Sequence, residues 1–100
     1  MVPYMVPYWR LFLLSTIEKL ITTALTNPQN LLFREFCKLC EYFGMEKRKS
    51  KGSHVIYKRK EDPKFTLPIQ NADGKAITYQ VEQLIDKVKI YKLYDFKEEE

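Results

Sequence analysis

His54 is the one histidine in this sequence of 100 residues, and imidazole is the side chain that gives or takes a proton near neutral pH without a large perturbation. It follows Gly52-Ser53 and has Lys49, Lys51 and Lys58 as neighbours. A turn glycine lets backbone and substrate approach closely, and a strand start at a sheet rim is accessible. Such a set suits RNA cleavage without a metal. The 2′-OH of RNA is itself the nucleophile, so the protein must supply a base for its proton, cations for the charged phosphorane and a proton donor for the leaving 5′-oxygen. His54 could be the base or the acid. Lys49, Lys51 and Lys58 could stabilise charge, and nothing in the sequence chooses among them. DNA lacks the 2′-OH, so the chemistry would be specific to RNA. Against this stands the plainer reading that a lone histidine is more often structural than catalytic.

The charge around His54 points the same way. Between Lys47 and Lys64 eight lysines and arginines are opposed only by Glu61 and Asp62, a local charge of +6 in a chain whose total is +4. A basic segment in an otherwise slightly acidic chain is the footprint of phosphate contact, because neutralising phosphates releases condensed counterions. A lysine-rich sheet edge that resists aggregation has the same composition.

Other chemistries find few residues to use. There is no glycine-rich phosphate loop, no Ser-His-Asp set and no acidic pair with a third ligand. Cys37, Cys40 and His54 make three potential zinc ligands where a structural site takes four, and Cys40 falls on an apolar helix face, so neither a metal nor a small-molecule cofactor is expected. Two cysteines three apart are no disulfide framework, which suits a reducing compartment and a cytoplasmic location. No run of about eighteen apolar residues is present, and the opening segment lacks the basic start of a signal peptide, so no membrane association is expected.

The elements that must position His54 follow from periodicity. Met1-Val2-Pro3-Tyr4 is repeated as Met5-Val6-Pro7-Tyr8, and residues 1–14 are expected to be an extended or disordered leader. Ser15 and Glu18 have capping-box spacing, and Ile17, Leu20, Ile21, Ala24 and Leu25 form one apolar stripe, which predicts an accessory amphipathic helix over 15–29. A second helix is expected to be capped by Asn27 or Asn30, to carry an apolar face of Leu32, Phe33, Phe36, Leu39, Cys40 and Phe43, and to end at Gly44. Three antiparallel strands follow: Met45–Lys49, then His54–Lys60 after the Lys51-Gly52-Ser53 turn, then the alternation of Phe65, Leu67 and Ile69, with Pro68 marking an edge or a strand end. Thr78 is expected to cap a last helix bearing Val81, Leu84, Ile85 and Val88. An acidic tail occupies 95–100. Helices on one face of such a sheet make a two-layer α+β domain whose other face or rim is left for a partner.

Several of these segments together resemble the HicA family of toxin–antitoxin mRNA interferases. The resemblance is carried by Gly44-Met45 through Lys51-Gly52-Ser53-His54, by Leu67-Pro68-Ile69-Gln70, by Gly74-Lys75-Ala76 and by Tyr79-Gln80-Val81-Glu82-Gln83-Leu84. It covers residues 30–94. It implies a double-stranded-RNA-binding-domain-like α-β-β-β-α fold, here with an extra N-terminal helix. It also implies endonucleolytic cleavage of mRNA and neutralisation by a HicB-type antitoxin. The family's catalytic histidine maps onto His54, with Gly52 and Ser53 as its motif neighbours. Many members carry a second histidine where this chain has Gln70, which can hydrogen-bond a phosphate or base but cannot shuttle a proton. Two readings stand beside the nuclease: a non-catalytic RNA-binding module of the same fold, and a subunit whose cationic face only pairs with an acidic partner.

Overall fold

From Tyr8 to Asn27 the sequence contains no proline or glycine, and the first helix, α1 (Tyr8–Thr26), occupies nearly all of that stretch. The computed structural model describes the backbone of residues 8–96 and the side chains of residues 16–96. The expected leader over 1–14 is therefore corrected. Residues 1–7 lie outside the described residues, while residues 8–14 belong to α1. Ser15 sits inside the helix, so the start expected at that residue is corrected to Tyr8. The apolar stripe does what its spacing predicts, with Leu20, Ile21 and Ala24 buried and Ile17 packed beside them.

Pro28 ends α1, but it opens a short 3-10 turn (Pro28–Asn30) and not the second helix. That helix, α2 (Phe33–Tyr42), starts later than the sequence suggests and is capped neither by Asn27 nor by Asn30. Instead the Leu32 N–H donates to the Glu35 carboxylate at 2.9 Å, which satisfies one of the orphan donors at the helix start. The Phe33 N–H donates to the Gly74 carbonyl, and Ala76 N–H to that of Leu31, tying the loop after the sheet to the head of α2. The Gly-Lys-Ala segment thus has a structural task, and Gly74 performs it at φ +89°.

Gly44 closes α2 in the left-handed region at φ +87°, where a Cβ would meet the Arg59 guanidinium at 3.3 Å. The chain then forms β1 (Met45–Lys51), β2 (His54–Arg59) and β3 (Phe65–Gln70), an antiparallel sheet in the order β1-β2-β3. Helix α3 (Thr78–Ile90) follows, with Thr78 as its first residue and Ile77, which makes no side-chain bond, at the cap. Helices α2 and α3 lie against β1 and β3, and α1 packs on α2, α3 and the 3-10 turn. One core joins them, filled by Phe36, Leu39, Val81, Leu84 and Val88 from the helices and Val55, Leu67 and Ile69 from the sheet. This is an α+β fold, α-β-β-β-α with an additional N-terminal helix.

After α3, Lys92 takes φ +55° and Leu93 N–H returns to the Val88 carbonyl at 2.9 Å, a left-handed helix closure. Tyr94 then meets Phe43 edge-on, and Phe96 meets Tyr94. Phe96 packs against the core, so the expected tail boundary at 95 falls too early; residues 97–100 lie outside the described residues.

Candidate active site

A parity argument decides what the uncovered face of the sheet carries. Met45 is buried, so it faces the helices. Lys51 is six residues further on and would face the same way in a regular strand. Its partner register says otherwise: β1 pairs with β2 as Lys47↔Tyr57 but Lys49↔Ile56, leaving Arg48 as an extra residue. This β-bulge turns Lys49 and Lys51 to the open face, as bulges commonly do beside functional sites. The hairpin imposes the requirement. A two-residue Gly52-Ser53 loop pairs Lys51 with His54, and Gly52 supplies the φ of +60° that such a loop takes at its first position.

On β2 the buried Val55 and Tyr57 face the helices, and His54, Ile56 and Lys58 face away. The open face is therefore built in rungs. Lys51, His54 and Gln70 form one, Lys49, Ile56 and Pro68 the next, and Glu46, Lys58 and Thr66 the third. Asn71 N–H donates to the Ser53 carbonyl at 2.8 Å, which makes the neighbouring His54 and Gln70 a non-hydrogen-bonded pair with Cα atoms about 4.5 Å apart, the closest cross-strand approach of side chains. Lys51 stands about 5.5 Å away on the other side, as a hydrogen-bonded pair does. Lys58 lies four residues along the strand, about 13 Å from His54. The lysines that are equivalent in the sequence are thus ranked by geometry: Lys51 and Lys49 flank His54, and Lys58 stands two rungs away.

Lys49, Ser50, Lys51, His54 and Ile56 line an open depression of ≈ 350 Å³. His54, Lys49, Lys51 and Lys58 are exposed, and Gln70 is half-buried. Among the described residues the ion pairs are Arg48 and Lys60 to Glu46, at 3.9 and 3.3 Å, so these three lysines meet no carboxylate. Gln70 is held from behind, its N–H donating to Oε1 of the buried Gln80 at 2.9 Å. Not every cation of the basic segment is available. Arg59 donates to the carbonyls of Phe43, Glu61 and Pro63, and it joins the end of α2 to the β2–β3 turn.

The cysteines lie on the other side of the sheet from His54. Cys40 is fully buried in the core and Cys37 half-buried beside it on α2. Burial pushes both thiols up, Cys40 most, which keeps them protonated and unreactive. Burial also raises the Tyr57 hydroxyl, which donates to the Glu41 carboxylate at 3.1 Å. Sequence reasoning missed the bulge, the structural use of Arg59, the part of Gln80 and the presence of Ile56 in the depression. The first was readable from parity, since an inward Met45 and a two-residue loop after Lys51 require one extra residue. The others depend on tertiary geometry that no spacing encodes.

A protein-family profile described as "HicA toxin of bacterial toxin-antitoxin" matches residues 33–90, more than half of the chain. No curated protein and no solved structure matches. The matched span runs from the start of α2 to the end of α3, so it contains the sheet and both helices beneath it and leaves α1 outside.

Proposed function

This chain belongs to the HicA family of toxins of bacterial toxin–antitoxin systems, and from that premise we propose that it is a metal-independent endoribonuclease of mRNA. A HicB-type antitoxin neutralises it, and it acts in the cytoplasm. The observation that carries this reading is the Lys51–His54–Gln70 rung, set on an exposed sheet face where, among the described residues, neither the lysine nor the histidine has an ion-pair partner.

The chemistry divides among the rung's members. The 2′-oxygen attacks the adjacent phosphorus and the bond from phosphorus to the 5′-oxygen breaks, giving a 2′,3′-cyclic phosphate and a free 5′-hydroxyl. Two protons move in this step, one off the 2′-OH and one onto the 5′-oxygen; the His54 imidazole carries one of these transfers and solvent water the other. Lys51 and Lys49 stabilise the negative charge that grows on the phosphorane oxygens. Gln70 can donate its amide N–H to a non-bridging oxygen and hold the phosphate beside the imidazole. Gly52 and Ser53 keep the loop small, so that a strand of RNA can lie across it. The nucleophile comes from the substrate, and no step needs a metal. The antitoxin's task is then to cover this cationic face, which calls for an acidic surface.

The test is incubation of the purified chain with labelled single-stranded RNA in EDTA, beside His54→Ala and a DNA of the same sequence. Cleavage of RNA alone, lost in the variant, is expected. RNA binding without cleavage by the folded wild-type chain would replace the nuclease with a binding module. Activity that EDTA abolishes and added metal restores would overturn the mechanism.

A further inference from the structure

Ile56 is out of place. It occupies the centre of the open face, with His54 and Lys58 on either side along β2 and Lys49 and Pro68 across from it. Outward positions of a half-solvated antiparallel sheet are normally polar, and the rungs above and below follow that rule. Here an aliphatic side chain and a proline sit side by side, half-buried and exposed respectively, between groups that attract phosphate. Ile56 is also part of the wall of the depression that contains His54, Lys49 and Lys51.

We propose that Ile56, extended by Pro68, is a shelf for one unpaired nucleobase of the RNA cleaved beside His54. This deepens the reading above and rests on it. Successive outward residues of a strand are about 6.6 Å apart, so a nucleotide whose base lies on Ile56 has its ribose near the imidazole. A depression of ≈ 350 Å³ is at the small end of ligand sites and takes one nucleoside. The lysines on either side favour the polyanion that carries the base. Neither Ile56 nor Pro68 has a side-chain donor or acceptor, so the contact is made with the face of the base and tolerates any of the four. Inside a duplex both faces of a base are covered by its stacked neighbours, so the shelf accepts only a nucleotide out of the stack. The choice made here is between unpaired and paired RNA, not between letters.

The experiment pairs a short single-stranded RNA with the same RNA lacking the base at the cleaved nucleotide. The full chain, Ile56→Ala and Ile56→Leu are compared on both. Wild type is expected to lose about tenfold in kcat/KM on the abasic RNA, in line with the loss of roughly 50–60 Å² of buried apolar base surface. Ile56→Ala should show a similar loss on intact RNA and no further loss on the abasic one, and Ile56→Leu should restore wild-type behaviour. Undiminished abasic sensitivity in Ile56→Ala overturns the shelf and leaves the nuclease standing. The same two RNAs are titrated against His54→Ala by fluorescence anisotropy. If the wild type cleaves nothing, the nuclease reading falls, and equal affinity of His54→Ala for the two RNAs overturns the shelf separately.

Discussion

The two faces of β2 carry opposite kinds of side chain on one stretch of six residues. On the helix side Val55 and Tyr57 are buried, and Tyr57 is bonded to Glu41. On the other side His54 and Lys58 are exposed and Ile56 half-buried beside their cross-strand neighbours. The covered face holds the fold together and its residues have one arrangement. The open face contributes little to stability, and among the described residues Lys49, Lys51, Lys58 and His54 have no ion-pair partner there. Because the side chains of a strand alternate, the two roles are separated by a single residue yet should respond almost independently to substitution.

The sharpest way to break that separation is a pair of substitutions, one per face. Phe36→Ala, in the covered core, should cost about 3–5 kcal/mol, close to the whole stability of a small domain. A thermal or urea melt that stays near wild type would refute the assignment of the core. His54→Ala should reduce RNA cleavage by about 100-fold or more while its melting curve coincides with that of wild type. A large fall in melting temperature would instead make His54 a structural residue.

A smaller effect distinguishes positions within the open face. Lys51→Ala, beside the imidazole, should lower kcat on RNA, whereas Lys58→Ala should chiefly weaken binding and reduce the salt slope of log K by about 1. Equal kcat losses in the two would contradict the ranking by rung.

Gln80→Leu tests a link between the faces. It leaves the Gln70 N–H without its acceptor, at a cost of about 1–3 kcal/mol, and it frees the end of β3 on which Gln70 sits. Stability and cleavage should fall together, unlike either single-face variant; loss of one alone would mean that Gln80 does not couple them.

The smallest effect is alkaline. Cys40 and Tyr57 are held neutral by burial in the native state, whereas an unfolded chain ionises its thiols from about pH 8.5 and its phenols from about pH 10. A pKa raised by folding stabilises below the unfolded value and loses that contribution as pH rises. The urea midpoint should therefore fall above about pH 8.5, and Tyr57→Phe should shift the later part of that fall.

Much of this was legible in the sequence because the signals were local. The alternation of Phe65, Leu67 and Ile69 fixes β3 and its inward face, Pro68 marks its edge, and Gly44 sits where α2 must stop. Boundaries failed where tertiary contacts decide them. The head of α2 is set by the Gly74 carbonyl and by Glu35, not by the asparagines that local propensity favours. Ser15 was misread because capping spacing carries no information about whether the helix has already begun. At the site, His54, Lys49 and Lys51 were visible as residue types, but their shared face was not, since it depends on Arg48 being left over in the pairing.

The two rims of the sheet are closed by different means, and this bears on how the protein behaves when concentrated. Along β3 the outward backbone donor is absent at Pro68 and bonded to Gln80 at Gln70, which leaves Thr66 as the open donor of the strand, and this partial closure is indifferent to ionic strength. Along β1 the outward backbone is guarded by Lys47, Arg48, Lys49 and Lys51 and by the bulge, and charge repulsion fades as salt rises. Raising the salt therefore relaxes the protection of β1 and leaves that of β3 as it was.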